Sequence, residues 1–170
     1  MIIELNDIDS EPKRFDVLVK PEEIDLGLDE VVIKGDVSVR GEVTKHIAQT
    51  DLAGTIAFAA DIDCARCLKP VPKSFLFNFD VSFVSPEDFA TSREKELSGE
   101  ELSTDVLPDG QIDVNDVVRE QILLNLPEQV LCTEECKGLC PKCGADRNLI
   151  NCNCEETETD PRWSALKNFK

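Results

Sequence analysis

Lys73-Ser74-Phe75-Leu76-Phe77-Asn78-Phe79-Asp80-Val81-Ser82-Phe83-Val84 is the stretch that decides the fold class. Phe75, Phe77, Phe79, Val81 and Phe83 recur at every second position, with Asn78, Asp80 and Ser82 between them. Successive side chains leave a strand on opposite sides, so a period of two marks a strand with one buried face. A row of rings can also stack nucleic-acid bases. No basic residue interleaves with these rings, and no other segment supplies comparable apolar bulk. The row is therefore read as core.

Toward the N-terminus the same period returns. Leu52, Ile56, Phe58 and Ile62 share one face of a second strand, with small Ala53, Ala57 and Ala59 on the other. Val31, Ile33, Val37 and Val39 alternate with Lys34, Asp36, Ser38 and Arg40, which predicts a third. Gly41 is read as a turn that separates it from Glu42–Gln49, and Asp16–Lys20 alternates weakly. Beyond the Phe row, residues 84–116 carry ten Asp or Glu against only Arg93 and Lys95. Ser98, Gly99, Pro108 and Gly110 punctuate that stretch, so about 85–112 is read as an acidic mobile loop, with an acidic docking arm as the sharper alternative.

A helix is predicted next, over about 113–126. Asp113 is its N-cap, Val114, Val117, Val118, Ile122 and Leu126 form an apolar stripe at helical spacing, and Pro127 stops it. The expected fold is thus α+β. It has a mainly antiparallel β-sheet, one packed amphipathic helix and a cysteine-rich, zinc-binding C-terminal segment. The expected division is a body over 1–131 and a metal-binding segment and tail over 132–170.

The chain has 170 residues, 41% of them hydrophobic and 31% charged, enough to form a core. No apolar run approaches the ~20 residues that span a bilayer as a helix. The start, Met1-Ile-Ile-Glu-Leu-Asn-Asp-Ile-Asp9, is acidic where a secretion signal is basic, so a cytoplasmic location is expected, with no membrane partner. Eighteen Lys and Arg against 35 Asp and Glu give a formal net charge of -17. Such a surface repels phosphate backbones at long range and favours basic protein partners, or serves solubility alone.

Cysteine carries the chemistry. The eight thiols read Cys64-x2-Cys67, then Cys132-x3-Cys136-x3-Cys140-x2-Cys143-x8-Cys152-x-Cys154. A Cys-x2-Cys step lets a tight turn aim two thiolates at one tetrahedral ion. Cys140-Pro141-Lys142-Cys143-Gly144 is the sharper of the two steps, because its glycine permits a positive φ that turns backbone N–H groups toward sulfur. The natural partition is Cys64, Cys67, Cys132 and Cys136 in one site and Cys140, Cys143, Cys152 and Cys154 in the other. A helical run through Cys132, Cys136 and Cys140 would divide them differently, although Gly138 and Pro141 oppose it.

Two Zn2+ ions are the expected cofactors, since zinc suits closed thiolate sites and needs no redox role. Iron, as a cluster or a single ion, is the competing metal. The Cys136-x3-Cys140-x2-Cys143 spacing also matches radical S-adenosylmethionine enzymes, but Lys142 stands where those usually carry an aromatic, and the chain is too short for their barrel. A thiol–disulfide catalyst would place a Cys-x2-Cys at a helix start, whereas Cys64 follows a strand. His46 is the sole histidine, and no phosphate loop or serine nucleophile elbow is present, so no catalytic residues, no enzyme activity and no small-molecule substrate are expected. In the tail, Arg162, Trp163, Lys167 and Lys170 are the candidate partner contacts, the plainer alternative being a tail docked on the body.

Several of these motifs resemble one known family. Cys64-Ala-Arg-Cys67-Leu-Lys-Pro70 resembles the Cys-x-Arg-Cys-Leu-x-Pro signature of YceD-like proteins. Ile112 to Pro127 resembles their helix ending in Leu-Pro, and Leu131 to Leu149 resembles their cysteine-rich segment. The Asp160-Pro161-Arg162 run fits as well. The resemblance covers most of 60–170, with the N-terminal strands similar only in pattern. It implies a non-enzymatic factor in ribosome biogenesis, supporting large-subunit assembly and 23S rRNA accumulation. It also implies that the second cysteine set is separable, since shorter relatives lack it. With the acidic charge, the expected partner is a large-subunit ribosomal protein or a pre-ribosomal particle, with local rather than extensive rRNA contact. The rival readings are a zinc-ribbon nucleic-acid-binding regulator and a thiol redox or metal-handling protein.

Overall fold

A computed structural model describes residues 1–5, 8, 11–47, 49–86, 104–107, 110–154 and 162. Its strands are β1 (Ile2–Glu4), β2 (Lys13–Val19), β3 (Val31–Lys45), β4 (Gln49–Asp63), β5 (Pro70–Val84), β6 (Thr104–Val106) and β7 (Gln111–Asp113), followed by helix α1 (Val114–Asn125). Five strands form one sheet in the order β2-β3-β4-β5-β6, and β1 pairs antiparallel with β7 in a second sheet. The β2–β3 and β3–β4 ladders are antiparallel, and β5–β6 is parallel. The α+β class with a mainly antiparallel sheet is thus observed.

The chain divides into two compact units. One comprises Met1–Ile62 with Pro72–Glu128, the other Asp63–Val71 with Gln129–Lys170. The second unit therefore unites the β4–β5 connection with the C-terminal cysteines.

In the first unit the alternation predicted along β3, β4 and β5 is realised. Val37, Val39, Val43, Leu52 and Ile56 are fully buried, and Phe79 and Phe83 are buried from the Phe row. Phe58 stacks on Phe75 with ring centroids 4.8 Å apart and meets Phe77 edge-on at 6.3 Å. These rings are packed on one another, as a core row should be. On the opposite face, cross-strand ion pairs set Arg40 against Asp16 at 3.0 Å and Arg14 against Glu42 at 3.3 Å. Being exposed, they fix register more than stability.

Gly41 corrects the sequence reading. It is no turn, but lies inside β3, opposite Phe15 on β2 and Gly54 on β4. A Cβ on Gly41 would fall 2.8 Å from the Phe15 ring, and one on Gly54 2.9 Å from the Phe79 ring. The glycines are seats for aromatic rings, so the ladder runs through them. The real reversal follows Lys45, where the His46 N–H donates to the Gln49 carbonyl at 2.8 Å. His46 itself is exposed and its Nε2 sits 3.1 Å from Asp51 Oδ2.

Helix α1 starts where expected. The Asp113 carboxylate accepts the Asn115 N–H at 2.9 Å, and Val114, Val117, Val118 and Ile122 are buried. Within the stretch read as an acidic loop, the structure adds β6 and β7, and Ile112 is buried. Strands of three residues are too short to show a period, and their partners lie far away in sequence. The rest of that loop, 87–103 and 108–109, is outside the described residues.

Candidate metal centre

Two turns in the second unit share one geometry. After β4, the Cys64 N–H donates to the Lys69 carbonyl at 2.9 Å and the Leu68 N–H donates back to the Cys64 carbonyl at 2.9 Å. In the C-terminal segment, the Cys140 N–H donates to the Ala145 carbonyl at 2.8 Å and the Gly144 N–H to the Cys140 carbonyl at 2.8 Å. The residue after the second cysteine is left-handed in both, with φ of 58° at Leu68 and 71° at Gly144. Such a turn folds the chain around the first sulfur and directs both thiols to one side.

Cys132 and Cys136 complete the first set. The Ala65 N–H donates to the Val130 carbonyl at 2.8 Å, and Arg66 Nη1 donates to the Cys136 carbonyl at 2.8 Å, so the two segments are tied from both sides. Cys64 Sγ lies 3.8 Å from Cys136 Sγ, and Cys67 Sγ 3.6 Å from Cys132 Sγ. A tetrahedral ion with metal–sulfur bonds of about 2.3 Å holds its sulfurs about 3.8 Å apart. Cys64, Cys67 and Cys136 are buried among Val71, Leu131 and Leu139.

Cys140, Cys143, Cys152 and Cys154 form the second set. In each set the four sulfurs lie within 4.8 Å of one another, an arrangement that could hold a metal ion. The second set is more open, with Cys140 buried, Cys152 and Cys154 half-buried and Cys143 exposed. All eight thiols are free. The spacing-based partition is the one the structure assembles, and the helical alternative through Cys132, Cys136 and Cys140 does not form, since these residues lie in turns and loops.

The electrostatics of each set fit a cation. Burial pushes the Cys64 thiol up, but backbone N–H groups at Arg66, Cys132 and Cys67 outweigh it and hold the thiol down at about 6. Cys67 is drawn down by the Lys69 N–H, yet burial and the thiols of Cys132, Cys64 and Cys136 drive it up to about 12. In the second set, backbone N–H groups of Cys143 and Lys142 hold Cys140 down at about 6, while the thiols of Cys143 and Cys140, together with burial, push Cys154 up to about 12. The first set favours thiolate at Cys64 and Cys136 and opposes it at Cys67 and Cys132, and the second favours it at Cys140 and opposes it at Cys152 and Cys154, so neither set holds four negative charges unaided. Four thiolates in such a space need a multivalent cation to balance them, and an all-sulfur tetrahedral set suits zinc or iron rather than magnesium or calcium.

Sequence reasoning missed the residues around these thiols. Asn148 Nδ2 donates to Cys136 Sγ at 3.3 Å and to Asp146 Oδ1 at 2.8 Å, while Asn148 Oδ1 accepts the Lys137 N–H at 2.8 Å. Asp146 Oδ2 is buried and faces Lys69 Nζ at 2.7 Å as an ion pair. Nothing in the spacing of Asn148 marks it, because its role is set by the turn it sits in. Leu68 was detectable by laying Cys64-Ala-Arg-Cys67-Leu68 over Cys140-Pro-Lys-Cys143-Gly144, which puts it at the glycine position. Of the predicted tail contacts, Arg162 is exposed, and Trp163, Lys167 and Lys170 lie outside the described residues.

Residues 52–170 match the family described as Large ribosomal RNA subunit accumulation protein YceD, and the chain belongs to this family. It is 26% identical to the uncharacterized protein YlbN of Bacillus subtilis, over 98% of this chain and 92% of that protein. It is 32% identical to the uncharacterized protein Rv2926c of Mycobacterium tuberculosis, over 68% of this chain and 53% of that protein. A maize protein named chloroplastic Large ribosomal RNA subunit accumulation protein YCED homolog 1 is 25% identical, over 70% of this chain and 48% of its own length. The chain thus spans about half the length of the mycobacterial and maize relatives. No solved structure matches the chain significantly.

Proposed function

We propose that this protein is a non-enzymatic, zinc-binding factor that supports large ribosomal subunit assembly and 23S rRNA accumulation in the cytoplasm. Family membership, with residues 52–170 matched, carries the reading. Two sets of four thiols, each gathered within 4.8 Å, support structural Zn2+. Cys64, Cys67, Cys132 and Cys136 would hold one ion, and Cys140, Cys143, Cys152 and Cys154 the other. A bound ion would neutralise the thiolates and lock the turns that carry them, so metal binding would contribute to folding. With four sulfur ligands a zinc site keeps no open position for a substrate, which supports a scaffold over an enzyme.

The net charge of -17 favours a basic large-subunit ribosomal protein as the direct partner. Deleting the gene should lower the ratio of large-subunit to small-subunit rRNA, and a tagged chain should retain a basic ribosomal protein after nuclease treatment. An unchanged rRNA ratio would sink the assembly role, and recovery of naked RNA alone would sink the protein partner.

One observation favours the second reading, a local RNA contact. Arg66, Lys137, Lys142 and Arg147 are all exposed in the cysteine-rich unit, while the chain as a whole is acidic. With Arg162, also exposed, they would supply the cations for such a contact. RNA affinity that falls steeply with salt, and falls again in Lys142→Glu/Arg147→Glu, would promote this reading.

A further inference from the structure

The two thiol sets share more than a stretch of chain. Cys136 belongs to the first and Cys140 to the second, with three residues between them. The Leu139 N–H donates to the Arg66 carbonyl at 3.0 Å, inside the first Cys-x2-Cys turn. The Arg147 N–H donates to the Gly138 carbonyl at 2.9 Å, and Leu139 bridges Asp146 in antiparallel fashion. The loop 144–151 is bounded by Cys143 and Cys152, both members of the second set. Yet its side chains serve the first set. Asn148 reaches Cys136 Sγ, and Asp146, which orients the Asn148 amide, is paired with Lys69 two residues after Cys67.

We infer that Asn148 couples the two sites, so that metal held by Cys140, Cys143, Cys152 and Cys154 tightens metal binding by Cys64, Cys67, Cys132 and Cys136. The inference rests on the metal reading proposed above. When Cys143 and Cys152 grip one ion, the loop between them is closed and its conformations are few. Asn148 is then held where its amide donates to sulfur. A hydrogen bond to a thiolate ligand offsets part of its charge and fixes its direction, and partners of this kind typically alter metal affinity 10- to 100-fold. Asn148 is itself exposed, so its place is kept by the loop and by its hydrogen bonds to Asp146 and the Lys137 N–H rather than by packing. If the second set releases its ion, the loop loosens and the Cys136 contact loosens with it. Coupling between binding sites is reciprocal, so a loaded first set likewise favours loading of the second.

The geometry also gives the coupling an order. The second set includes exposed Cys143, whereas Cys64 in the first set is fully buried. The open set responds first to a change in available metal, and Asn148 carries that response to the closed one. A chain built this way reports metal supply at its surface and relays it to the β4–β5 connection.

The test uses the full chain, loaded with zinc under reducing conditions. Zinc per chain is counted first. Competition with a chromogenic chelator then gives the affinity of each site, and thiol alkylation read by mass spectrometry tells which cysteines are released. Four proteins are compared: wild type, Cys152→Ser/Cys154→Ser, Asn148→Ala, and the combination. Disabling the second set should weaken the first about tenfold, in line with the usual size of coupling between sites. Asn148→Ala should do the same at the first set and, because coupling is reciprocal, should weaken the second set by a like factor. The combination should be no weaker at the first set than Cys152→Ser/Cys154→Ser alone, because the relay is already broken.

A first set that is indifferent to loss of the second overturns the inference. So do losses that multiply to about a hundredfold in the combination, since they would show Asn148 acting apart from the second set. Should the double serine variant fail to fold, Asn148→Ala retains all eight thiols and decides alone: no loss at the first set, or a loss at the first with none at the second, overturns the inference. Wild type that takes up fewer than two zinc ions overturns the metal reading, and the inference falls with it. Two ions released independently overturn the inference only.

Discussion

Leu68 occupies the position in the first Cys-x2-Cys turn that Gly144 occupies in the second, and both are left-handed, at φ 58° and 71°. Glycine takes this conformation freely, whereas an L side chain pays about 1–2 kcal/mol. Leu68→Gly should therefore stabilise the zinc-loaded protein. The gain is cut by the extra freedom glycine gives the unfolded chain, leaving about 0.5–1 kcal/mol. Gly144→Ala should cost about 1 kcal/mol by strain alone, because nothing lies within 4 Å of a Cβ there. Denaturant titration in saturating zinc checks both, and the idea fails if the two changes shift stability in the same direction.

Gly54 should be far less tolerant than Gly144. An added Cβ would fall 2.3 Å from the Arg40 carbonyl oxygen, 2.9 Å from Gly41 Cα and 2.9 Å from the Phe79 ring. Two of these neighbours are backbone in the β3–β4 ladder and cannot swing away. Gly54→Ala should cost about 3 kcal/mol, at the upper end of the usual overpacking penalty. Phe79→Leu, which empties the seat, should recover part of the loss in Gly54→Ala. Thermal unfolding of the two single variants and the double one is the check, and strict additivity would show that the ring is irrelevant.

The places where sequence and structure part company have physical causes. Long strands announced themselves because β3, β4 and β5 each run for 15 residues, ample for a period of two. Helix α1 was legible from a cap, a stripe and a proline. The partition of the thiols followed from the reach of a two-residue turn. What stayed hidden was whatever depends on a distant partner. Gly41 reads as a turn until the Phe15 ring is seen beside it, and β7 has no pattern until Ile112 pairs with Ile3. Leu68 gives no signal taken by itself, since leucine ordinarily avoids positive φ, and only its alignment with Gly144 in the second turn marks it. Asn148 is invisible to any rule about ligands, because it donates to a ligand and is not one.

The Lys69–Asp146 pair should be insensitive to pH across the physiological range. The hydrogen bond and charge of Asp146 raise the Lys69 ammonium above its ordinary value, and Lys69 holds the Asp146 carboxyl below its own. A raised lysine contributes fully below its unfolded value and loses that contribution as pH rises through the folded one. A lowered carboxyl contributes fully above its unfolded value and loses that contribution as pH falls through the folded one. With ordinary values of about 10.4 and 3.9, the pair acts undiminished from about pH 5 to pH 9. A double-mutant cycle of Lys69→Met and Asp146→Asn on the zinc-loaded protein should give one coupling energy at both ends of this window. A coupling that changes sign or vanishes between them would mean the two groups are not paired in solution.

Metal should leave the two thiol sets in a fixed order. Attack by a chelator or an alkylating reagent needs a sulfur that solvent can reach. Cys143 is exposed and Cys152 and Cys154 are half-buried, while Cys64, Cys67 and Cys136 are shielded by Val71, Leu131 and Leu139. Under a limiting chelator, alkylation should therefore appear at Cys143, Cys152 and Cys154 before Cys64 or Cys136, with Cys132 the earliest of its own set. Replacing Leu139 by Ala opens that shield without touching a sulfur, and should bring the labelling of Cys64 and Cys136 forward several-fold while leaving a stoichiometry of two. Time-resolved mass spectrometry of the intact, labelled chain reads the order directly. Simultaneous labelling of all eight thiols in the wild-type chain would mean that burial does not govern release, and that both ions are lost in one cooperative unfolding step.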